Sequence, residues 1–284
     1  MILGATGMLG HKLVHVLSSE FQVVGTVRRD VAPPELDGYQ IRHGVHADRF
    51  DTVQEALNAE SPDLVVNCIG LIKQLKPSRL DQLLINSVFP QRLAELARKG
   101  NFRLIHISTD CVFSGRKGGY KESDPSDAED DYGRTKFLGE VDGPGCLTLR
   151  TSIIGRELSG GYGLIDWFYR QAGGTVKGFK GAVYTGLTTL ALARVIASVA
   201  RSYPELVGLW QVASESITKY DLLSKVNRQA GLGVTIEPDT DFQCDRSLDG
   251  SRFEQETGFR LPAWDEMIEE LVADAKTYNS GVQS

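Results

Sequence analysis

No uninterrupted run of eighteen apolar residues occurs in the chain, so nothing in it predicts a membrane-spanning helix. The amino terminus also lacks a charged stretch leading into an apolar core, the mark of a secretory signal. Both absences predict a cytoplasmic protein with no membrane partner. Cysteine is scarce: Cys68, Cys111, Cys146 and Cys244 are far apart and show no CxxC spacing. That excludes a zinc framework and a disulfide scaffold and predicts reduced, mostly buried thiols. Positive charge is outnumbered, with 31 Lys and Arg against 37 Asp and Glu and a net charge of −6, which argues against nucleic acid as a partner. A local basic pocket for a nucleotide diphosphate is still compatible. Internal repeats and low-complexity tracts are missing too.

What is present is an ordinary globular composition, 41% hydrophobic and 24% charged over 284 residues. It is enough for one large domain with a smaller lobe. Through residues 1–150, apolar strands alternate with helices, the pattern of a doubly wound parallel sheet. Strands are expected at 1–3, 22–27, 39–43, 63–69 and 102–108, and helices at 7–17 and 80–98. In the second helix, Leu80, Leu83, Leu84, Val88, Leu93, Leu96 and Ala97 are expected to form roughly one apolar face. The first strand is a short stub, which predicts that the natural chain begins a few residues earlier. Residues 115–131 are rich in Gly, Ser, Lys and Asp and read as a surface loop, its acidic end solvated. Residues 151–284 are expected to form mainly a substrate-binding lobe, with room for some segments to return to the first sheet. That lobe would hold helices at 187–201, 219–230 and 264–275, a strand at 208–212, and Trp210 and Trp264 as packing residues.

Gly4, Gly7 and Gly10 stand in a Gly-x-x-Gly-x-x-Gly run between the first strand and the first helix. Such a turn lets the backbone approach a pyrophosphate while the helix terminus offers unpaired N–H groups. The second strand ends at Arg28-Arg29, where an acidic residue would hold a ribose hydroxyl and Arg accommodates a 2′-phosphate. NADPH is therefore expected, with NADH also accommodated. Asp48 could accept from an adenine amino group or cap the helix that follows it.

Tyr132 and Lys136 lie four residues apart on an expected helix, on one face and about 6 Å apart along its axis. Thr109 ends an expected strand. A phenol is a poor acid at neutral pH, but an adjacent ammonium favours the phenolate and brings its pKa down toward the working range. Tyr132 would then donate the proton in a carbonyl reduction, Lys136 would tune it and hold the nicotinamide ribose, and Thr109 would hydrogen-bond the same oxygen. His106, in an apolar strand, reads as a core residue. His11 and His15 have a metal-compatible spacing but no third ligand, and no metal is expected. For a substrate diphosphate the candidates are Arg150, Lys177, Lys180 and, first, Arg246.

The chain resembles an extended short-chain dehydrogenase/reductase of the dTDP-4-dehydrorhamnose reductase family over nearly its whole length. The matching strings run from Gly4-Ala5-Thr6-Gly7-Met8-Leu9-Gly10, Pro62-Asp63-Leu64-Val65-Val66-Asn67 and Asn86 to Ser108-Thr109-Asp110-Cys111-Val112-Phe113-Ser114-Gly115. They continue with Tyr132-Gly133-Arg134-Thr135-Lys136, Gly139-Glu140, Leu149-Arg150-Thr151-Ser152, Arg246-Ser247-Leu248-Asp249 and Leu261-Pro262-Ala263-Trp264. The resemblance implies a Rossmann-type fold and reduction of the 4-keto group of a nucleotide-activated 6-deoxyhexose by NADPH or NADH. Thr109, Tyr132 and Lys136 carry over as the catalytic set. The expected cofactor set is Gly4, Thr6, Gly7, Met8, Leu9, Gly10, Arg28, Arg29, Asp48, Cys68, Ile69, Gly70, Ser108, Tyr132 and Lys136. The expected substrate set is Thr109, Asp110, Cys111, Ile153 and Arg246, and a homodimer is compatible.

Several positions depart from the family pattern. Cys111 replaces a Tyr, Ile153-Ile154-Gly155 replaces Trp-Val-Tyr, Tyr184-Thr185 replaces Pro-Thr, and Thr189 replaces an Asp. The first two lie near the sugar in the family, so a different hexose is allowed. Cys111 also stands where related sugar-nucleotide dehydratases need a Glu, which disfavours water elimination. The Arg pair fits poorly with an epimerase, which keeps NAD tightly bound. The remaining alternative is a non-catalytic partner protein that resembles the NADP-binding regulatory beta subunit of methionine adenosyltransferase, against which the intact Thr109, Tyr132 and Lys136 argue.

Overall fold

The computed structural model describes residues 1–100 and 102–278. Its first half runs β1 (Ile2–Leu3), α1 (Gly10–Leu17), β2 (Val24–Thr26), β3 (Gln40–Arg42), α2 (Phe50–Glu60), β4 (Leu64–Asn67), α3 (Arg79–Gln82), a π turn (Leu83–Val88), α4 (Phe89–Arg98), β5 (Arg103–Thr109), α5 (Asp131–Leu138) and β6 (Cys146–Thr151). The second half adds β7 (Ile153–Ile154), α6 (Leu164–Tyr169), β8 (Thr175–Tyr184), β9 (Leu187–Thr188), α7 (Thr189–Ser202), β10 (Gly208–Gln211), β11 (Ile217–Thr218), α8 (Lys219–Ala230), β12 (Thr235–Asp245), α9 (Ser251–Thr257) and α10 (Trp264–Tyr278).

Seven strands form one parallel sheet in the order β10-β6-β5-β4-β1-β2-β3. The fold is α/β of the Rossmann type. Successive side chains of a strand point to opposite faces, and the sequence supplies apolar residues for both. Ile2, Val66 and Ile105 join the core on the face of α1 and α7, while their neighbours Leu3, Val65 and Leu104 join the core on the face of α2 and α4. Strand order reverses between β1 and β4, and the loops leaving their carboxyl ends flank a cleft. An open α/β sheet binds ligands at such a switch point.

The segments after residue 150 divide. β10 pairs with β6 and extends the main sheet, so Trp210 belongs to that sheet and not to a separate lobe. β11, β8 and β12 form a second sheet, and β7 and β9 a third. The long strands β8 and β12 carry no clean alternation of burial, and for that reason periodicity did not reveal them.

The expected apolar face of residues 80–98 is interrupted. Leu93, Ala94 and Ala97 are buried, but Leu80, Leu84 and Val88 are exposed. The π turn between α3 and α4 inserts wider i→i+5 spacing and shifts the face out of register. Among the described residues no helix is long and apolar enough to cross a membrane.

Candidate active site

The glycine turn is held by sterics. Gly4 adopts φ +86°, a conformation L side chains rarely take, and a Cβ on Gly10 would lie 2.1 Å from the Gly4 carbonyl oxygen. Gly4 and Gly10 therefore shape the turn instead of facing the cleft, and Thr6 lies exposed beside it. α1 begins without a side-chain cap and without an acidic residue in its first turn. The His11 N–H is taken by the Gly7 carbonyl oxygen at 3.2 Å, but with no capping side chain the positive end of the helix is open to an anion, and the site fits a dinucleotide pyrophosphate. His11 hydrogen-bonds the Gly7 carbonyl oxygen through Nδ1 at 2.8 Å, and burial lowers its pKa to about 4, so the turn carries no extra cation.

A cavity of about 650 Å³ opens beside this turn. Of the sequence-predicted residues, it brings together Gly7, Met8, Leu9, Cys68, Ile69, Gly70, Ser108, Thr109, Asp110, Cys111, Tyr132, Lys136, Ile153 and Arg246. Arg28, Arg29 and Asp48 are not among its walls. Both arginines are exposed past the end of β2, and Asp48 faces His46 at 4.0 Å. Nor is Asp48 a helix cap: Arg49 holds the cap position of α2, with no side-chain bond.

Two segments deliver the reactive groups, α5 with Tyr132 and Lys136 and β5 with Thr109. Asp130 accepts the Gly133 N–H at 2.7 Å and so starts α5, placing Tyr132 in its first turn and Lys136 one turn later, both on the cavity wall. Thr109 closes β5, donating to the Asp110 carboxylate at 3.1 Å and accepting from the Cys111 N–H at 3.2 Å. Lys136 is buried and donates to the Ile107 carbonyl oxygen at 2.7 Å, and burial lowers its pKa to about 8.

The expectation that Lys136 pulls the Tyr132 phenol downward is corrected by this geometry. Burial, with Cys111 beside it, raises the phenol well above its ordinary value, opposed by a hydrogen bond with Thr109. The ammonium is committed to Ile107. Tyr132 is consequently a protonated phenol at neutral pH, the form that can donate.

Other predicted roles change as well. The Ser108 hydroxyl lines the cavity but donates to Glu140 at 2.6 Å. Arg150 is 1% exposed and bonded to Glu140 by Nε and a terminal nitrogen at 2.8 and 2.6 Å, so it cannot meet a diphosphate. Its pair with Glu140 ties the end of α5 to β5 and β6. Lys177 pairs with Asp239, Lys180 lies over the Tyr220 ring, and neither lines the cavity. Of the cysteines only Cys146 is fully buried. Cys68, Cys111 and Cys244 line the cavity, and burial pushes the Cys68 and Cys111 thiols up to about 12, leaving both neutral. His106 is a buried core residue beside Asn67 Nδ2, at 3.1 Å.

Sequence reasoning missed the part played by Asn86. Inside the π turn, its amide accepts from the Leu71 N–H at 2.8 Å and donates to the Leu71 carbonyl oxygen at 3.0 Å, fixing the loop after β4. A Cβ on neighbouring Gly70 would lie 3.6 Å from Asn86 Oδ1 and 4.0 Å from Lys136 Nζ, so that loop, the π turn and α5 converge. A π turn has no compositional mark, and its tendency to sit at functional sites is the only available signal. Lys73, Tyr184 and Lys219 also line the cavity.

The family model described as RmlD substrate binding domain matches residues 1–277. The probable low-salt glycan biosynthesis reductase Agl14 of Haloferax volcanii is 28% identical, over 98% of this chain and 99% of that one. The dTDP-4-keto-6-deoxy-D-glucose reductase of Streptomyces niveus is 32% identical over 49% of this chain and 45% of its own length. Among solved structures, a hypothetical dTDP-4-dehydrorhamnose reductase from Sulfolobus tokodaii superposes with a TM-score of 0.76 at 25% identity, covering 93% of this chain and 97% of the other.

Proposed function

The chain belongs to the RmlD substrate binding domain family, and on that premise we propose that it is an NADPH-preferring reductase of the 4-keto group of a nucleotide-activated 6-deoxyhexose. The observation that carries this reading is the meeting of Thr109, Tyr132 and Lys136 on one cavity wall beside an uncapped helix terminus. The two named reductases among the relatives support it.

The nicotinamide, when bound, supplies a hydride to the carbonyl carbon. Gly7, Met8, Leu9 and Gly70 would hold the cofactor, with Arg28 and Arg29 at the exposed carboxyl end of β2 for a 2′-phosphate. Tyr132, a protonated phenol at neutral pH, gives its proton to the carbonyl oxygen as negative charge grows there. Thr109 holds the same oxygen, and Asp110, bonded to the Thr109 hydroxyl, orients it. Lys136 places positive charge under the reacting groups and loses little solvation in doing so, because burial has already stripped it. The second and third sheets serve as the substrate lobe. Intact Thr109, Tyr132 and Lys136 favour an enzyme over a binding-only subunit.

The expected result with dTDP-, UDP- and GDP-linked 4-keto-6-deoxyhexoses is loss of the near-ultraviolet NADPH absorbance with at least one of them, and a slower rate with NADH. No oxidation with any member of the panel would leave the binding-only reading in its place. Exposed Leu80, Leu84 and Val88, with Phe137 and Leu138 on the adjacent α5, also favour a homodimer. Sedimentation should give twice the chain mass, and polar substitution at Leu84 and Phe137 should halve it.

A further inference from the structure

Beneath the reactive wall lies a carboxylate to which proton transfer gives no part. Glu140 is the second residue past the end of α5, and its side chain is 9% exposed. One oxygen accepts the Ser108 hydroxyl at 2.6 Å and Arg150 Nε at 2.8 Å, and the other accepts a terminal Arg150 nitrogen at 2.6 Å. Lys136 donates to the Ile107 carbonyl oxygen. The buried ammonium and the carboxylate are therefore bonded to consecutive residues of β5, next to Thr109.

The chain is shaped to put Glu140 there. Gly139 caps α5 where a Cβ would lie 1.8 Å from the Asn86 carbonyl oxygen, so only glycine allows this approach to the π turn. Gln91, on α4, donates to the carbonyl oxygens of Leu138 and Glu140 at 3.1 and 2.9 Å and fixes the turn from another side. A buried ion pair is a weak source of stability by itself, so the placement asks for another reason.

That reason is the surroundings of Lys136. Burial works against its charge, and Glu140 comes first among the groups that oppose burial. The other titratable side chains that face the ammonium are neutral. Cys68, just past β4, is a thiol, His106 on β5 is an imidazole held neutral by burial, and Tyr132 on the same helix is a phenol. Arg150, on β6, is a cation, but it is paired with Glu140 itself. One carboxylate thus offsets the desolvation of the ammonium.

We propose that Glu140 is a positioning residue of the reaction, the counter-charge that keeps Lys136 an ammonium at neutral pH. The use made of that charge rests on the reductase reading, whereas the charge itself does not.

Protein labelled with carbon-13 at the lysine ε positions tests this by NMR, the Lys136 signal being the one that Lys136→Met removes. In the parent it should titrate at about 8. In Glu140→Gln it should titrate about one unit lower, as expected when an adjacent opposite charge is lost. Glu140→Asp, which keeps the charge, should recover most of the shift. With a reducible substrate the basic limb of kcat should move by the same amount, so that turnover falls about fivefold at pH 8 and stays within about twofold of the parent at pH 6. Should Glu140→Gln not fold, Glu140→Gln joined to Arg150→Met removes both members of the pair and leaves no lone charge, and its Lys136 should likewise titrate below the parent. An unchanged Lys136 titration overturns the proposal, as does a loss of kcat equal at every pH. A lowered titration in a protein that reduces nothing in the panel would uphold Glu140 as the counter-charge and sink the reductase.

Discussion

Tyr132→Phe should lower kcat by about a thousandfold, the upper part of what a positioned proton donor contributes, and leave NADPH affinity within about twofold. The phenol lines the cavity and bonds with Thr109, and nothing in the glycine turn depends on it. Removing one hydroxyl from a hydrogen-bonded, half-buried position costs on the order of 1 kcal/mol, so the variant should fold. Sign matters for the pH profile. Because burial raises the phenol, the parent enzyme should not lose its donor anywhere near neutrality, and a fall in kcat on raising the pH toward 8 must come from another group. Single-turnover rates at saturating NADPH, with cofactor binding read by fluorescence, separate the two effects. A Phe variant that turns over at near the parent rate would falsify the assignment of the acid.

The placement of that phenol was legible in the sequence; its protonation was not. Spacing alone puts Tyr132 and Lys136 on one helix face, and the glycine run and the apolar strands specify the switch point that both approach. These signals are local and periodic. What escaped is set by contacts far apart in sequence. Lys136 turns to Ile107, 29 residues away, and Glu140 takes the Ser108 hydroxyl from the cofactor wall, 32 residues away, as well as the nearer Arg150. No pattern in the chain announces which of two nearby partners an ammonium or guanidinium will choose. The second sheet was hidden for a related reason. Its strands are partly exposed on both faces, so neither alternation nor a continuous apolar run marks them, and the cations that they bring to the cavity went unnoticed except for Arg246.

Lys136→Met should remove nearly all turnover and yet stabilise the protein near neutral pH. The ammonium is 5% exposed and donates to the Ile107 carbonyl oxygen at 2.7 Å, and its pKa falls from 10.5 to about 8 because charge is held in a poorly solvating place. Below that folded value both folded and unfolded chains carry the proton, and burying the charge costs the fold about 3 kcal/mol. Between the folded and unfolded values the unfolded chain holds a proton that the folded chain has released, so this contribution rises with pH, and above the unfolded value the penalty is gone. Methionine fills a similar volume with no charge. Allowing for the lost hydrogen bond, the gain at pH 7 should be about 1–3 kcal/mol, a rise of several degrees in Tm, shrinking as the pH approaches 10.5. Melting curves of parent and variant at pH 7 and at high pH decide the matter. A variant that melts lower at neutral pH would show that the ammonium is a structural support, whereas a gain confined to neutral pH, joined to lost activity, marks a residue kept at a strained site because the reaction needs its charge.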